Sequence, residues 1–300
     1  MIDRFQALRV FVRVAELGSF TRAADALELS RARVSEALAE LERELGARLV
    51  HRTTRKVSLS DDGRLYYERA RRILEDLEEA DALVVRSKSS ARGRLRVALP
   101  MGIARQFVVP ALPRFSRRHP ELALEIRFEN RALDLLEEGI DCAVSYGEPK
   151  SDQLVARKVA STLLSTCASP AYLVRRGIPR TPDDLGKHDC IAFLTLATAH
   201  PAEWQFSVDG QGITRRPSPS LAFNSMEACV DAAEAGLGIT QVLSALAKPA
   251  FGAQKLVPIL GEYTAAGPAL YVIYPPNREH SARVRVLLDF LGEALRALAP

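Results

Sequence analysis

The residues best placed to do chemistry lie between positions 30 and 56. Arg31, Ala32, Arg33, Ser35 and Glu36 crowd the start of a helical pattern, and Arg48, Arg52, Arg55 and Lys56 follow it with no acid until Asp61. A helix that enters a major groove needs small residues near its N-terminus, groups that hydrogen-bond to base edges, and cations beside phosphates. Ala32 and Ser35 meet the first need; Arg31, Ser35 and Glu36 meet the second. The stretch "RKVSLS" alternates like a short strand, so the basic segment suits a two-stranded wing along the sugar-phosphate backbone. The bland alternatives are the solvated face of a small helical bundle and a basic surface loop.

The elements that position these groups are legible around them. Phe5, Leu8, Val12 and Ala15 mark one apolar face of a first helix, which Gly18 ends. A second helix starts at Ser19 or Phe20-Thr21 and offers Ala23, Ala24 and Leu27 as contacts. After the turn Glu28-Leu29-Ser30, Ser30 is placed to cap a third helix through the amide of Arg33. In that helix Val34, Leu38, Leu41 and Leu45 face the core, Gly46 suits the C-terminal cap, and Ala32, Ser35, Glu36 and Ala39 lie opposite. Further on, Ser60 is a plausible cap for a helix in which Tyr66, Ala70, Ile73, Leu77, Ala80 and Val84 repeat as a heptad seam flanked by charges. Such a seam predicts dimerisation, which also sets two reading helices about 34 Å apart on successive major grooves.

Beyond the polar stretch "RSKSSARGRL" the pattern changes. Strand-like runs ("LRVAL", "ALEIRF", "DCAVSY", "CIAFL", "EWQFSV", "SLAFNS", "GITQV", "PALYVIYP") alternate with helical ones, among them "MEACVDAAEAGLG" and a closing "EHSARVRVLLDFLGEALRAL". Alternation of this kind predicts an α/β fold with mainly parallel sheets and ligand crevices at the strand ends. Candidate ligand contacts there are Pro100-Met101-Gly102-Ile103, Ser145, Phe193, Asn224-Ser225-Met226 and Gln241. Helix starts at Met101 and Met226 favour a small polar or anionic ligand.

Other function classes find little support. The net charge is +4 and the pI about 8.9, so the location of the cations matters more than their number. No apolar run reaches about 18 residues, so no membrane span is indicated. The N-terminal helix pattern is broken by Arg9, Arg13 and Glu16, unlike a secretory signal, which argues against a periplasmic solute receptor. Cys142, Cys167, Cys190 and Cys229 are scattered without a C-x-x-C pair, which fits a reducing cytoplasm, and Cys167 is better read as a buried small residue than as a redox sensor. The five histidines show no ligand spacing, and no arrangement specific to catalysis is present, so neither an enzyme nor a cofactor is expected. Gly236-Leu237-Gly238 fits a helix cap better than a dinucleotide loop.

Residues 1–63 resemble the winged helix-turn-helix of LysR-type transcriptional regulators. The carrying residues are "FVRVAELGSFTRAADALELS", Val34-Ser35, "LERELGARL" and "RTTRKVSLSDDG". The resemblance continues through "LRVALP", "VPALPRFSRRHPELALEIRF", "LDLLEEGIDCAVSYGE", "CASPAYLVRRG", "DDLGKHDCIAF", "AAEAGLGI" and "LYVIYPPN". It implies a helical winged domain over residues 1–60 and a linker dimerisation helix over 61–90. It also implies an effector-binding domain over 91–300, like a type 2 periplasmic binding protein. The two Rossmann-like subdomains of that domain would cover 92–165 with 267–300, and 166–266. The implied DNA contacts are Thr21, Arg31, Ala32, Arg33, Ser35, Glu36, Arg52 and Arg55. Double-stranded DNA, a second copy in a homodimer or homotetramer, a small-molecule co-inducer and RNA polymerase are the implied partners. The chain departs from the family pattern at Ala32 (often Pro), Glu36 (often Arg or Gln), Leu49-Val50 (often Leu-Phe), Ser145 (often Arg) and Gln241-Val242 (often Leu-Pro). Glu36 cannot donate to guanine but can accept from cytosine N4, which points to a different operator sequence.

Overall fold

The computed structural model describes all residues except 1–2, 53–56, 85–90, 130, 132, 150, 152, 196–199, 217, 280 and 299–300. Two compact units divide the chain, residues 1–89 and 90–300.

In the first unit, α1 (Arg4–Leu17) begins at Asp3 and stops at Gly18, whose φ of 59° is left-handed. Helix α2 (Phe20–Leu27) is capped by the Ser19 hydroxyl, and α3 (Arg31–Leu45) by the Ser30 hydroxyl, which accepts from the Arg33 amide at 3.2 Å. Gly46 closes α3 in the left-handed conformation that the cap requires. Val10, Phe11 and Val14 of α1 pack on Ala23, Ala24, Val34, Leu38 and Leu41, all buried. Each large side chain there contributes about 1.5–3 kcal/mol by leaving water. The wing is the antiparallel pair β1 (Val50–Arg52) and β2 (Val57–Leu59), after which α4 (Asp61–Val84) departs.

The second unit holds two five-stranded sheets. β3 (Gly93–Leu99) leads into a helical stretch that opens with α5 (Met101–Ile103), passes through a π and a 3-10 turn, and ends as α6 (Leu112–Arg118). β4 (Leu122–Phe128), α7 (Leu135–Glu138), β5 (Cys142–Tyr146) and β6 (Val155–Ala160) follow. The chain then crosses to β7 (Leu164–Ala168), α8 (Pro170–Arg176), β8 (Cys190–Phe193), β9 (Trp204–Val208), β10 (Gln211–Arg215), β11 (Pro219–Phe223), α9 (Met226–Glu234), β12 (Ile239–Leu243), α10 (Ser244–Gly252) and β13 (Val257–Ile259). It returns through β14 (Leu270–Tyr274) and ends in α11 (Ala282–Ala294). The first sheet has the order β4-β3-β5-β14-β6 and the second β11-β8-β12-β7-β13.

The expectation of mainly parallel sheets needs correction: both are mixed. β3 runs parallel to β4 and β5, but β14 is antiparallel to β5 and β6. In the second sheet β7 is antiparallel to β12 and β13. The antiparallel members include β14 and β7, the strands next to the two crossings between sheets. Those crossings are stitched together, with Gly267 N donating to Thr162 O at 2.9 Å and Thr162 Oγ1 donating to Pro268 O at 2.8 Å. A Cβ on Gly267 would stand 2.4 Å from Thr162 Oγ1, so the close approach requires glycine.

Candidate DNA-binding and ligand sites

The DNA-binding candidate is built by α3 and what holds the wing against it. The Glu42 carboxylate of α3 accepts from the amides of Leu49 at 2.8 Å and Val50 at 3.2 Å. Ser60 N donates to Leu49 O at 3.0 Å, and the Ser60 hydroxyl both donates to Arg48 O and accepts from Gly63 N. A Cβ on Gly63 would stand 1.9 Å from Leu49 O, so this packing of α4 on the wing excludes any side chain there. The Glu42 side chain thus ties the root of the wing to α3, and the backbone bond from Ser60 to Leu49 ties it to the start of α4.

Along α3, Arg31, Ala32, Glu36 and Ala39 are exposed, while Arg33 and Ser35 are half-buried. Arg33 Nη1 pairs with Glu36 Oε2 at 3.1 Å, so part of the charge of Glu36 is met within its own helix. Thr21 is exposed in the first turn of α2 and Arg48 is exposed before β1. Arg55 and the side chain of Arg52 lie outside the described residues.

The heptad seam of α4 divides. Ala70 is fully buried, and the ring of Tyr66 lies 5.6 Å from that of Phe11, so both face the unit's own core, joined by Leu74. Ile73 is 48% exposed, Leu77 half-buried and Ala80 exposed. The apolar stripe left for a partner helix therefore starts at Ile73 rather than at Tyr66. The side chain of Val84 lies outside the described residues.

The ligand candidate is a cavity of about 320 Å³ in the second unit, where residues of both sheets meet. Tyr146 at the end of β5, Leu164 of β7, Phe193 of β8, Trp204 and Gln205 of β9, Met226 of α9 and Gln241 of β12 line it, with Thr195, Ala202, Glu203 and Pro268. Phe193, Met226 and Gln241 of the sequence-derived set are brought together here. Gln241 is spent on structure: its Oε1 accepts from Gln205 N at 2.8 Å, and its Nε2 donates to Gln205 O at 2.9 Å and Thr166 Oγ1 at 3.2 Å. It pins the cavity wall carrying Trp204.

The other sequence-derived contacts are elsewhere. Gly102 lines a separate groove beside Glu227 and Arg105. Pro100 and Ile103 are buried, Ile103 in the core, and Met101 is exposed. Ser225 caps α9 by accepting from Ala228 N, Asn224 is exposed, and the Ser145 hydroxyl reaches only Tyr146 O, at 3.5 Å. None of these seven is among the described residues that line the cavity. Trp204 and Tyr146 went unnoticed in the sequence, although Trp204 is the chain's one tryptophan and sits inside a strand-like run. No cation is among the described lining residues, so none of them offers the anionic ligand expected from helix starts a counter-charge. All four cysteines are free and buried; burial pushes Cys167, Cys190 and Cys229 to about 12 and Cys142 higher still.

No helix among the described residues is long and apolar enough to cross a membrane. Residues 5–64 match the model of bacterial regulatory helix-turn-helix proteins of the lysR family, and residues 88–296 match the LysR substrate binding domain. The chain is 35% identical over 295 residues to the uncharacterized HTH-type transcriptional regulator YhjC of Escherichia coli (strain K12), spanning 98% of this chain and 99% of the relative. It is 33% identical over 292 residues to an HTH-type transcriptional repressor of Pseudomonas aeruginosa (strain UCBPP-PA14), spanning 97% and 92%. The solved structure of CrgA, a LysR-type transcriptional regulator from Neisseria meningitidis, matches with a TM-score of 0.62 at 31% identity, covering 97% of this chain and 98% of that one. These relatives are regulators rather than enzymes. This chain belongs to the LysR family of bacterial helix-turn-helix transcription regulators.

Proposed function

We propose that the chain acts in the cytoplasm as a dimeric regulator that places α3 in the major groove and rests its wing on phosphates. The single observation carrying this reading is the bond set from Glu42 to the Leu49 and Val50 amides, which fixes the wing beside the exposed Arg31, Ala32 and Glu36. The stripe from Ile73 through Leu77 to Ala80 supplies the dimer contact, and the tetramer and RNA polymerase contacts follow from family membership. The cavity around Trp204 binds the small-molecule effector, since its size and mixed apolar and polar lining match small-ligand sites. Thr21, Arg33, Ser35, Arg52 and Arg55 remain proposed DNA contacts on the same grounds.

The test is footprinting of the full chain on DNA upstream of its own gene. The expected pattern is two protected half-sites whose centres lie a whole number of helical turns apart. Ser35→Ala should change the ranking of operator variants by about 1–3 kcal/mol where it loses a base contact. A Ser35→Ala protein that loses affinity equally on operator and random DNA would remove α3 from base reading.

A further inference from the structure

The walls and the charges of the Trp204 cavity point to one class of ligand. Tyr146, Phe193 and Trp204 offer aromatic faces and Met226 a thioether, so flat unsaturated molecules fit. Among the described lining residues the one that carries a charge is Glu203, held by an ion pair with Arg216. A second carboxylate stands beside the cavity. Glu227 follows Met226 in the first turn of α9, takes the Ser225 hydroxyl on Oε2, and places Oε1 1.6 Å from where a Cβ on Gly102 would be. It therefore rests on the glycine backbone of the other half of the unit, where a side chain at position 102 would displace it. Its negative charge reaches Tyr146: burial first, and Glu227 after it, raise that phenol above its ordinary range. The Tyr146 hydroxyl has no hydrogen-bond partner among the described residues, so it is available to donate to a ligand acceptor. The amide of Gln241 is already engaged.

We propose that the cavity admits uncharged aromatic compounds and rejects their carboxylate analogues, and that Glu227 imposes the choice; the proposal rests on the cavity being the effector site. A carboxylate entering here loses its hydration, meets no cation among the described lining residues, and meets Glu203 on the wall, with the charge of Glu227 in the helix turn that carries the lining Met226. An amide of the same shape has no charge to desolvate, and its carbonyl accepts from the Tyr146 hydroxyl.

Cinnamamide and cinnamate share a shape and differ in charge at neutral pH. Trp204 is the one tryptophan of the chain, so its fluorescence reports occupancy of this cavity in the full-length protein. Cinnamamide should bind at least about tenfold more tightly than cinnamate. Glu227→Gln should cut that ratio to under about threefold by tightening cinnamate alone. Glu227→Ala serves as the second variant where the Gln form fails a thermal-unfolding control. Equal or tighter binding of cinnamate by the wild type overturns the ligand class while leaving the cavity reading standing, because Trp204 has responded. A ratio unchanged in both variants overturns the role of Glu227. Silence of Trp204 toward both probes at millimolar concentration overturns the cavity reading itself, and the proposal with it.

Discussion

A thiol whose pKa is held near 12 is almost wholly protonated at pH 8, with roughly one molecule in ten thousand as the thiolate that reacts. Cys167, Cys190 and Cys229 are in that position, Cys142 lies further still from ionisation, and all four are buried. Iodoacetamide at pH 8 should therefore label none of them in the native protein and all four in denaturant, as counted by mass spectrometry. Stoichiometric labelling of Cys167 in the native protein within minutes would restore the redox-sensor reading. The sequence supports the bland assignment because the four cysteines are scattered without a C-x-x-C pair, and an unpaired cysteine most often behaves as a small buried apolar residue. Gln241 shows the opposite case. Its place in a strand was visible, but it lies at the middle of β12 rather than at the expected strand end, and its engagement with Gln205 depends on a strand that is 36 positions away in the chain, a pairing no local pattern records.

At the scale of elements, what could be read was what is locally determined. Ser30 and Gly46 bound α3 as their capping chemistry predicts, because a cap satisfies backbone groups within one turn. Gly236, with a φ of 79°, follows α9 as a helix-ending residue and not as part of a nucleotide loop. The β9–β10 hairpin was missed although its signature is present: Asp209 and Gly210 both have positive φ and join the strands in a two-residue turn. Helix α10 was missed because Pro249 lies inside it and its apolar residues lack an amphipathic period. The seam of α4 was read with the right period but too long, since periodicity cannot tell an intramolecular partner from a second chain. The division at Ile73 makes a prediction. Ile73→Lys places a charge in the exposed stripe while leaving Tyr66, Ala70 and Leu74 to hold the unit's own core. The mass from light scattering should fall and operator affinity with it, while the thermal midpoint of the monomer stays within a few degrees. Unchanged mass at micromolar concentration would clear this stripe of a dimer role.

At the scale of the whole molecule, the alternation of strands and helices was enough to infer an α/β second unit, because that periodicity is written along the chain. The mixed order of its sheets was not, because β14 and β7 take their places only after long excursions. Charge is similarly uninformative in total and informative in place. A net of +4 spread over 300 residues would bind DNA weakly, but Arg48, Arg52, Arg55 and Lys56 fall within nine positions of the sequence, and the proposed dimer would double them. If each copy neutralises about three or four phosphates, the dimer releases counterions from about six to eight, and log K should fall with log salt at a slope near −5 to −7. Arg48→Ala, which removes one cation from each copy, should make that slope shallower by about 2 without changing which operator variants are preferred, since phosphate contacts carry no base identity. Titrations by fluorescence anisotropy between about 50 and 200 mM salt measure both quantities. A wild-type slope shallower than about −2 would mean that the wing does not lie on the backbone, and α3 would then have to hold its register through base contacts alone.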